Sequence, residues 1–170
     1  LARLESQDDW HGFDACPVNI AINEALMDMP GAERVSQVLE SEDILVNAPH
    51  PLVVIAVRNL LENALKFSGD DQPVELRVTS QSSDHQNLVK FVIRDQGNNP
   101  LTPDQGTENP QHSRLPPQGH GLGLTIVESI AAQFGGHLHA KGNASGGMDW
   151  ELALLSIRAS QQAGQSETGH

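Results

Sequence analysis

The sequence predicts an α/β domain, on three observations. A run of helical period spans Pro51–Phe67, "PLVVIAVRNLLENALKF", with Val53, Ala56, Val57, Leu60, Leu61 and Ala64 on one face. Two alternating segments, Val74–Ser80 and Leu88–Asp95, follow as neighbouring strands across the polar loop "QSSDHQN". A second helix to about Phe134 then leads into a hairpin, His137–Lys141 with Met148–Leu155, across "GNASGG". The 170 residues suit one domain and can bury a sizeable core.

Residues 1–9 read as the end of a helix running into a linker, and 10–157 as the domain. Ile20–Met29 reads as a short helix stopped by Pro30–Gly31, because that pair breaks helical period. Val35–Leu39 and Ile44–Val46 are short strand candidates. Pro51 suits a first helical turn, where its missing N–H costs nothing. Residues 98–118 are rich in proline and nearly lack large apolar side chains, as in a lid, a binding loop or a disordered segment. The helix after them carries Ile126, Val127, Ile130 and Phe134 on one side. Trp150 alternates with Met148 and Leu152 and is expected in the core, and 158–170 read as a polar tail.

Composition excludes several functions. The net charge of −12 argues against nucleic acid, whose phosphates need a basic face. Any anionic ligand must therefore be held by local groups and a cation. Cys16 is the single cysteine, which rules out an internal disulfide and a multi-cysteine zinc site and fits a reducing compartment. The eight histidines show no metal-ligand spacing. No apolar run reaches the length of a membrane helix. The first residue is Leu1, so a fragment of a longer protein is expected.

Three short stretches carry candidate chemistry. Asn59, Asn63 and Lys66 form a polar stripe beside the apolar face of the long helix, at about 100° per residue. Mid-helix asparagine is unfavourable, so the stripe is either a solvated face or a pocket wall with amide oxygens for a hard cation and a lysine for phosphate. Asp95 ends an apolar strand and Gly97 follows, which is either a strand-ending turn or a carboxylate set to accept from a ligand amine. "GHGLGL", 119–124, spaces Gly119, Gly121 and Gly123 at a helix start, as a hinge or as backbone open to phosphate. It is neither the dinucleotide fingerprint nor a Walker A loop.

The order of these stretches, "NLLENALKF" (59–67), "DQG" (95–97), a proline-rich loop and "GHGLGL" (119–124), resembles the catalytic, ATP-binding domain of bacterial sensor histidine kinases. That family lies within the Bergerat-fold ATPases. The resemblance covers roughly residues 10–155. It implies a two-layer α/β sandwich, a mixed sheet packed on helices, with ATP under a mobile lid at 98–118. It implies that Asn63 ligates Mg²⁺, Asn59 supports the phosphates, Lys66 contacts phosphate and Phe67 lines the adenine pocket. Asn63 and Lys66 would carry the catalytic role. Asp95 would accept the adenine amine beside Gly97. Gly119, Gly121 and Gly123 would close on the phosphates, with His120, Leu122 and Leu124 in the same stretch.

ATP-hydrolysing relatives carry a glutamate base where this chain has Asn59, and Glu62 points about 100° away from Asn63. An amide cannot take a proton from water. The resemblance thus implies a domain that holds ATP and donates its γ-phosphate to a histidine. The resemblance implies that this histidine lies on a dimerisation domain, and no phosphoacceptor box occurs in this chain. A response regulator would act downstream. The fragment would be monomeric and cytoplasmic, and the parent a homodimeric inner-membrane sensor. The chain departs from the family pattern at Asn99, where a second glycine is usual. It also has no phenylalanine between Phe91 and Phe134, and Arg114 is the clearest basic residue of the lid. The alternative is a degenerate domain that regulates another kinase by binding it, without phosphotransfer.

Overall fold

The computed structural model describes residues 13–97 and 122–157. The expectations for 1–9, for the lid 98–118 with Asn99 and Arg114, for Gly119, His120 and Gly121, and for the tail 158–170 lie outside these residues. So does the Leu122 side chain.

The described chain runs β1 (Cys16–Pro17), α1 (Val18–Leu26), a 3₁₀ turn (Ala32–Arg34), β2 (Val35–Leu39) and β3 (Leu45–Val46). There follow α2 (His50–Phe67), β4 (Val74–Ser82), β5 (Asn87–Arg94), α3 (Leu122–Gln133), β6 (His137–Gly142) and β7 (Met148–Leu155). Five strands form a mixed sheet in the order β2-β4-β5-β7-β6. Only β2 and β4 pair in parallel, with α2 in the connection between them. The β4–β5, β5–β7 and β6–β7 pairs are antiparallel.

Period-two alternation decides which sheet face meets the helices. Val74, Leu76 and Val78 of β4, Val89, Phe91 and Ile93 of β5, and Met148, Trp150, Leu152 and Leu154 of β7 are all buried. The other face carries charged pairs: Lys90 meets Glu151 at 3.2 Å and Arg94 meets Asp149 at 2.9 Å. The helices therefore cover one face only, which makes two layers.

In α2 the buried set is Val53, Ala56, Val57, Leu60, Leu61, Ala64 and Leu65, the expected face plus one. Each valine or leucine there contributes about 1.5–3 kcal/mol by leaving water. The helix starts with a proline in its first turn and carries Lys66 in its last, where a cation suits the dipole.

Two expectations are corrected. The first helix is Val18–Leu26, not Ile20–Met29, because Met27 is already extended and Asp28 adopts a left-handed φ of 55°. The chain thus leaves the helix before Pro30 is reached. Ile126 lies on the exposed side of α3, whose buried residues are Leu124, Val127, Ile130 and Ala131, with Phe134 buried just beyond its end. The two-residue ladder of β1 with β3, Cys16 against Val46, was not expected. Cys16 is buried and its Sγ lies 3.4 Å from His50 Nδ1. Burial, with Glu24 nearby, pushes its thiol up to about 11, so it stays an inert thiol at neutral pH.

Candidate functional site

Asp95 sits at the end of β5, entirely shielded from solvent. Its Oδ1 accepts from the Met148 N–H at 2.9 Å and the Gly97 N–H at 3.3 Å. Its Oδ2 is buried and accepts no hydrogen bond of regular geometry among the described residues. Burial raises the carboxyl above its ordinary value, against the pull of the Met148 and Gly97 N–H groups and of the nearby Trp150 indole. A buried carboxylate oxygen without a well-formed hydrogen bond is costly, and a ligand N–H would relieve that cost.

Two glycines let backbones close around this carboxylate. A Cβ at Gly97 would lie 1.8 Å from the Phe67 carbonyl oxygen, so the chain after β5 abuts the end of α2. A Cβ at Gly147 would lie 2.1 Å from the Asp95 carbonyl oxygen and 2.6 Å from Oδ1. Only glycine permits either approach.

Beside Gly97 opens a cleft of about 530 Å³, within the usual range for small-ligand sites. Phe67, Ser68, Gln72, Gln96, Gly97 and Ser145 line it. Arg34 holds one rim, donating to the carbonyls of Gln72 at 3.1 Å and Gly69 at 3.0 Å. Lys66 Nζ lies 5.7 Å from the Phe67 ring centroid. From Phe67 the stripe runs back along α2 through Lys66 and half-buried Asn63 to half-buried Asn59. At 1.5 Å per residue that is about 12 Å. At its far end a Cβ on Gly123 would lie 3.6 Å from the Asn59 amide, so the first turn of α3 meets the stripe. The fold thus brings together the described parts of all three sequence stretches along one helix.

The family described as histidine kinase-, DNA gyrase B- and HSP90-like ATPase matches residues 50–159. The chain belongs to that family. Among its relatives, the sensor protein QseC of Escherichia coli K12 is 25% identical over 162 residues, 90% of this chain and 34% of QseC. The sensor histidine kinase VxrA of Vibrio cholerae is 42% identical over 89 residues, 51% of this chain and 15% of VxrA. The chain thus spans about a third or less of these relatives. Among solved structures, the mycobacterial sensor histidine kinase MprB matches with a TM-score of 0.61 at 21% identity, over 84% of this chain and 98% of that one. The cytoplasmic segment of QseC matches at 0.60 and 24% identity, over 91% and 85%. Full-length ShkA in complex with AMPPNP matches at 0.59 and 22%, over 86% and 32%. These likenesses establish the sandwich fold.

In this ATPase domain Leu124 follows Gly123 in the first turn of α3. Its side chain is buried in the core at 4% exposure, so only its backbone is left for a ligand. Asn143 is the residue that sequence reading missed. It stands at the β6–β7 turn, and its Nδ2 donates to the Asp95 carbonyl at 2.9 Å and to Asp149 Oδ1 at 3.1 Å. Its Oδ1 accepts from the N–H groups of Ser145 and Gly147, both at 3.0 Å. An asparagine in a glycine-rich strand connection signals a side-chain-to-backbone turn, and that was the available clue.

Asp149 in turn is gripped by the Arg94 guanidinium at 2.9 and 3.0 Å. Burial alone would raise its carboxyl, but Arg94 and Asn143 outweigh burial and hold it below 3.8. Its support is therefore present at neutral pH and is lost as pH falls through that lowered value. Asn143→Ala should cost about 2–4 kcal/mol of stability, because it orphans buried groups on both sides. Asn143→Asp should also destabilise, since it sets a carboxylate against Asp149. Urea denaturation reads both, and a loss below about 0.5 kcal/mol for the alanine variant would dismiss the clamp.

Proposed function

We propose that this chain is the ATP-binding catalytic domain of a two-component sensor histidine kinase. It holds Mg-ATP and donates the γ-phosphate to a histidine on a dimerisation domain outside this chain. The reading is carried by Asp95, a buried carboxylate whose Oδ2 accepts no hydrogen bond of regular geometry among the described residues, close to a cleft of ligand size. An exocyclic amine such as that of adenine supplies a well-aligned donor to it.

A base seated at Asp95 and Phe67 directs its phosphates along the α2 stripe toward Gly123. Lys66 then meets phosphate, and Asn59 and Asn63 present amides to it. The Asn63 amide oxygen would hold Mg²⁺. That ion takes most of its ligands from water and phosphate, so one protein oxygen fits its habit. No His, Cys, Asp or Glu cluster among the described residues competes for it. When bound, Mg²⁺ neutralises phosphate charge, which a chain of net charge −12 needs. Asn59 stands where a hydrolytic base would be and cannot take a proton from water. The chain therefore keeps ATP for another nucleophile, and its work is positioning and charge neutralisation.

The partners follow from that chemistry: the dimerisation and phosphoacceptor domain of its own homodimeric parent, and a response regulator that receives the phosphoryl group. The parent would be an inner-membrane sensor with this domain on the cytoplasmic side. No described helix is long and apolar enough to cross a membrane.

Asn63→Ala tests the metal assignment. It should lower Mg-ATP affinity at least about tenfold, roughly 1.4 kcal/mol, while leaving metal-free nucleotide affinity intact. A variant within about threefold of the parent chain would show that Asn63 holds no metal.

A further inference from the structure

We propose that Ser68 reads the nucleobase together with Asp95. Its hydroxyl donates, directly or across one water, to the ring nitrogen beside the exocyclic amine. This inference rests on the nucleotide reading above and adds a residue to it.

Ser68 follows the last residue of α2 and is 5% exposed. Its N–H is already spent, donating to the Ala64 carbonyl at 2.9 Å and closing the helix. Its Oγ is buried with no hydrogen-bond partner among the described residues. Other serine hydroxyls are satisfied by backbone: Ser83 Oγ donates to Gln86 at 2.9 Å, Ser129 Oγ to Thr125 at 2.9 Å and Ser156 Oγ to Leu45 at 3.4 Å. A buried hydroxyl left unpaired weakens the fold, so its place in the cleft wall asks for a ligand.

Asp95 Oδ2 likewise accepts no hydrogen bond of regular geometry among the described residues, and the two residues are neighbours through Gly97. A Cβ at Gly97 would lie 3.2 Å from the Ser68 Cα, and Gly97 donates its N–H to Asp95. An ionised carboxylate can only accept, whereas a hydroxyl can donate. An acceptor beside a donor matches an amine beside a ring nitrogen, the edge that adenine offers. Guanine sets a carbonyl where adenine has its amine, and that carbonyl would face the carboxylate.

The test measures calorimetric affinities of the 170-residue chain and its Ser68→Ala variant for ADP and for 1-deaza-ADP, in which that ring nitrogen is a C–H. Thermal unfolding of both proteins is followed without nucleotide. The proposal expects Ser68→Ala to bind ADP about tenfold more weakly, the worth of one hydrogen bond. It expects no loss toward 1-deaza-ADP and a melting temperature equal to or above that of the parent. Loss of binding without loss of stability separates a ligand contact from a structural one. Unchanged ADP affinity in the variant, or equal losses for both nucleotides, would overturn the proposal and leave the nucleotide reading standing. A parent chain that takes up no ADP would remove both.

Discussion

Gly97→Ala is expected to cost at least about 3 kcal/mol of stability, because its new Cβ would lie 1.8 Å from the Phe67 carbonyl oxygen. The clash is with the Phe67–Ser68 backbone, so no rotamer relieves it. Either β5 or the end of α2 must move, and the cleft between them moves with it. Gly123→Ala is the matched control. There a Cβ meets only the Asn59 amide at 3.6 Å, an ordinary contact. The helix position should then gain up to about 1 kcal/mol from the better helix former. Denaturant unfolding of the two variants measures both effects. Equal effects at the two glycines would mean that the close approach at Gly97 does not constrain the fold.

Asp95→Asn is expected to cut adenine-nucleotide affinity by about 2–3 kcal/mol, thirty- to more than a hundredfold, with little loss of stability. The amide keeps the shape of the carboxylate. One of its two terminal atoms becomes a donor, so it either faces the ligand amine or opposes the Met148 and Gly97 N–H groups. The charge that burial disfavours is also removed, so the unliganded fold is not expected to suffer greatly.

The pH dependence has opposite signs in the two states. Burial lifts the folded Asp95 above 3.8, so the free protein loses this residue's contribution as pH rises through that range. Nucleotide binding needs the ionised form and strengthens over the same range. Calorimetry across mildly acidic pH reads this. Affinity that rises on acidification would remove Asp95 from the base site.

Much of this was legible in the sequence, for physical reasons. The face of α2 and the alternation of β4, β5 and β7 are periodic over eight or more residues, and periodicity survives any tertiary context. The polar stripe of α2 was legible because mid-helix asparagines need a reason. The β1–β3 ladder was not, since two residues carry no period. Ile126 misled because an apolar residue one position off the buried face still looks periodic in a short helix, and here it is 42% exposed. The end of α1 was set by Met27 and Asp28, where no strong breaker is written. Asn143 and Ser68 escaped for a different reason. One holds a strand end 48 residues away, and the other is defined by a partner it lacks. Neither property is local in sequence.

The measurement that tests the central claim most directly is calorimetric titration of the 170-residue chain with AMPPNP and with ADP, each with and without Mg²⁺. The account predicts saturable binding of both, tightened by Mg²⁺ more for the triphosphate analogue than for the diphosphate. A folded chain that binds neither nucleotide at millimolar concentration would contradict it, and would point to a domain that acts on another kinase by contact alone.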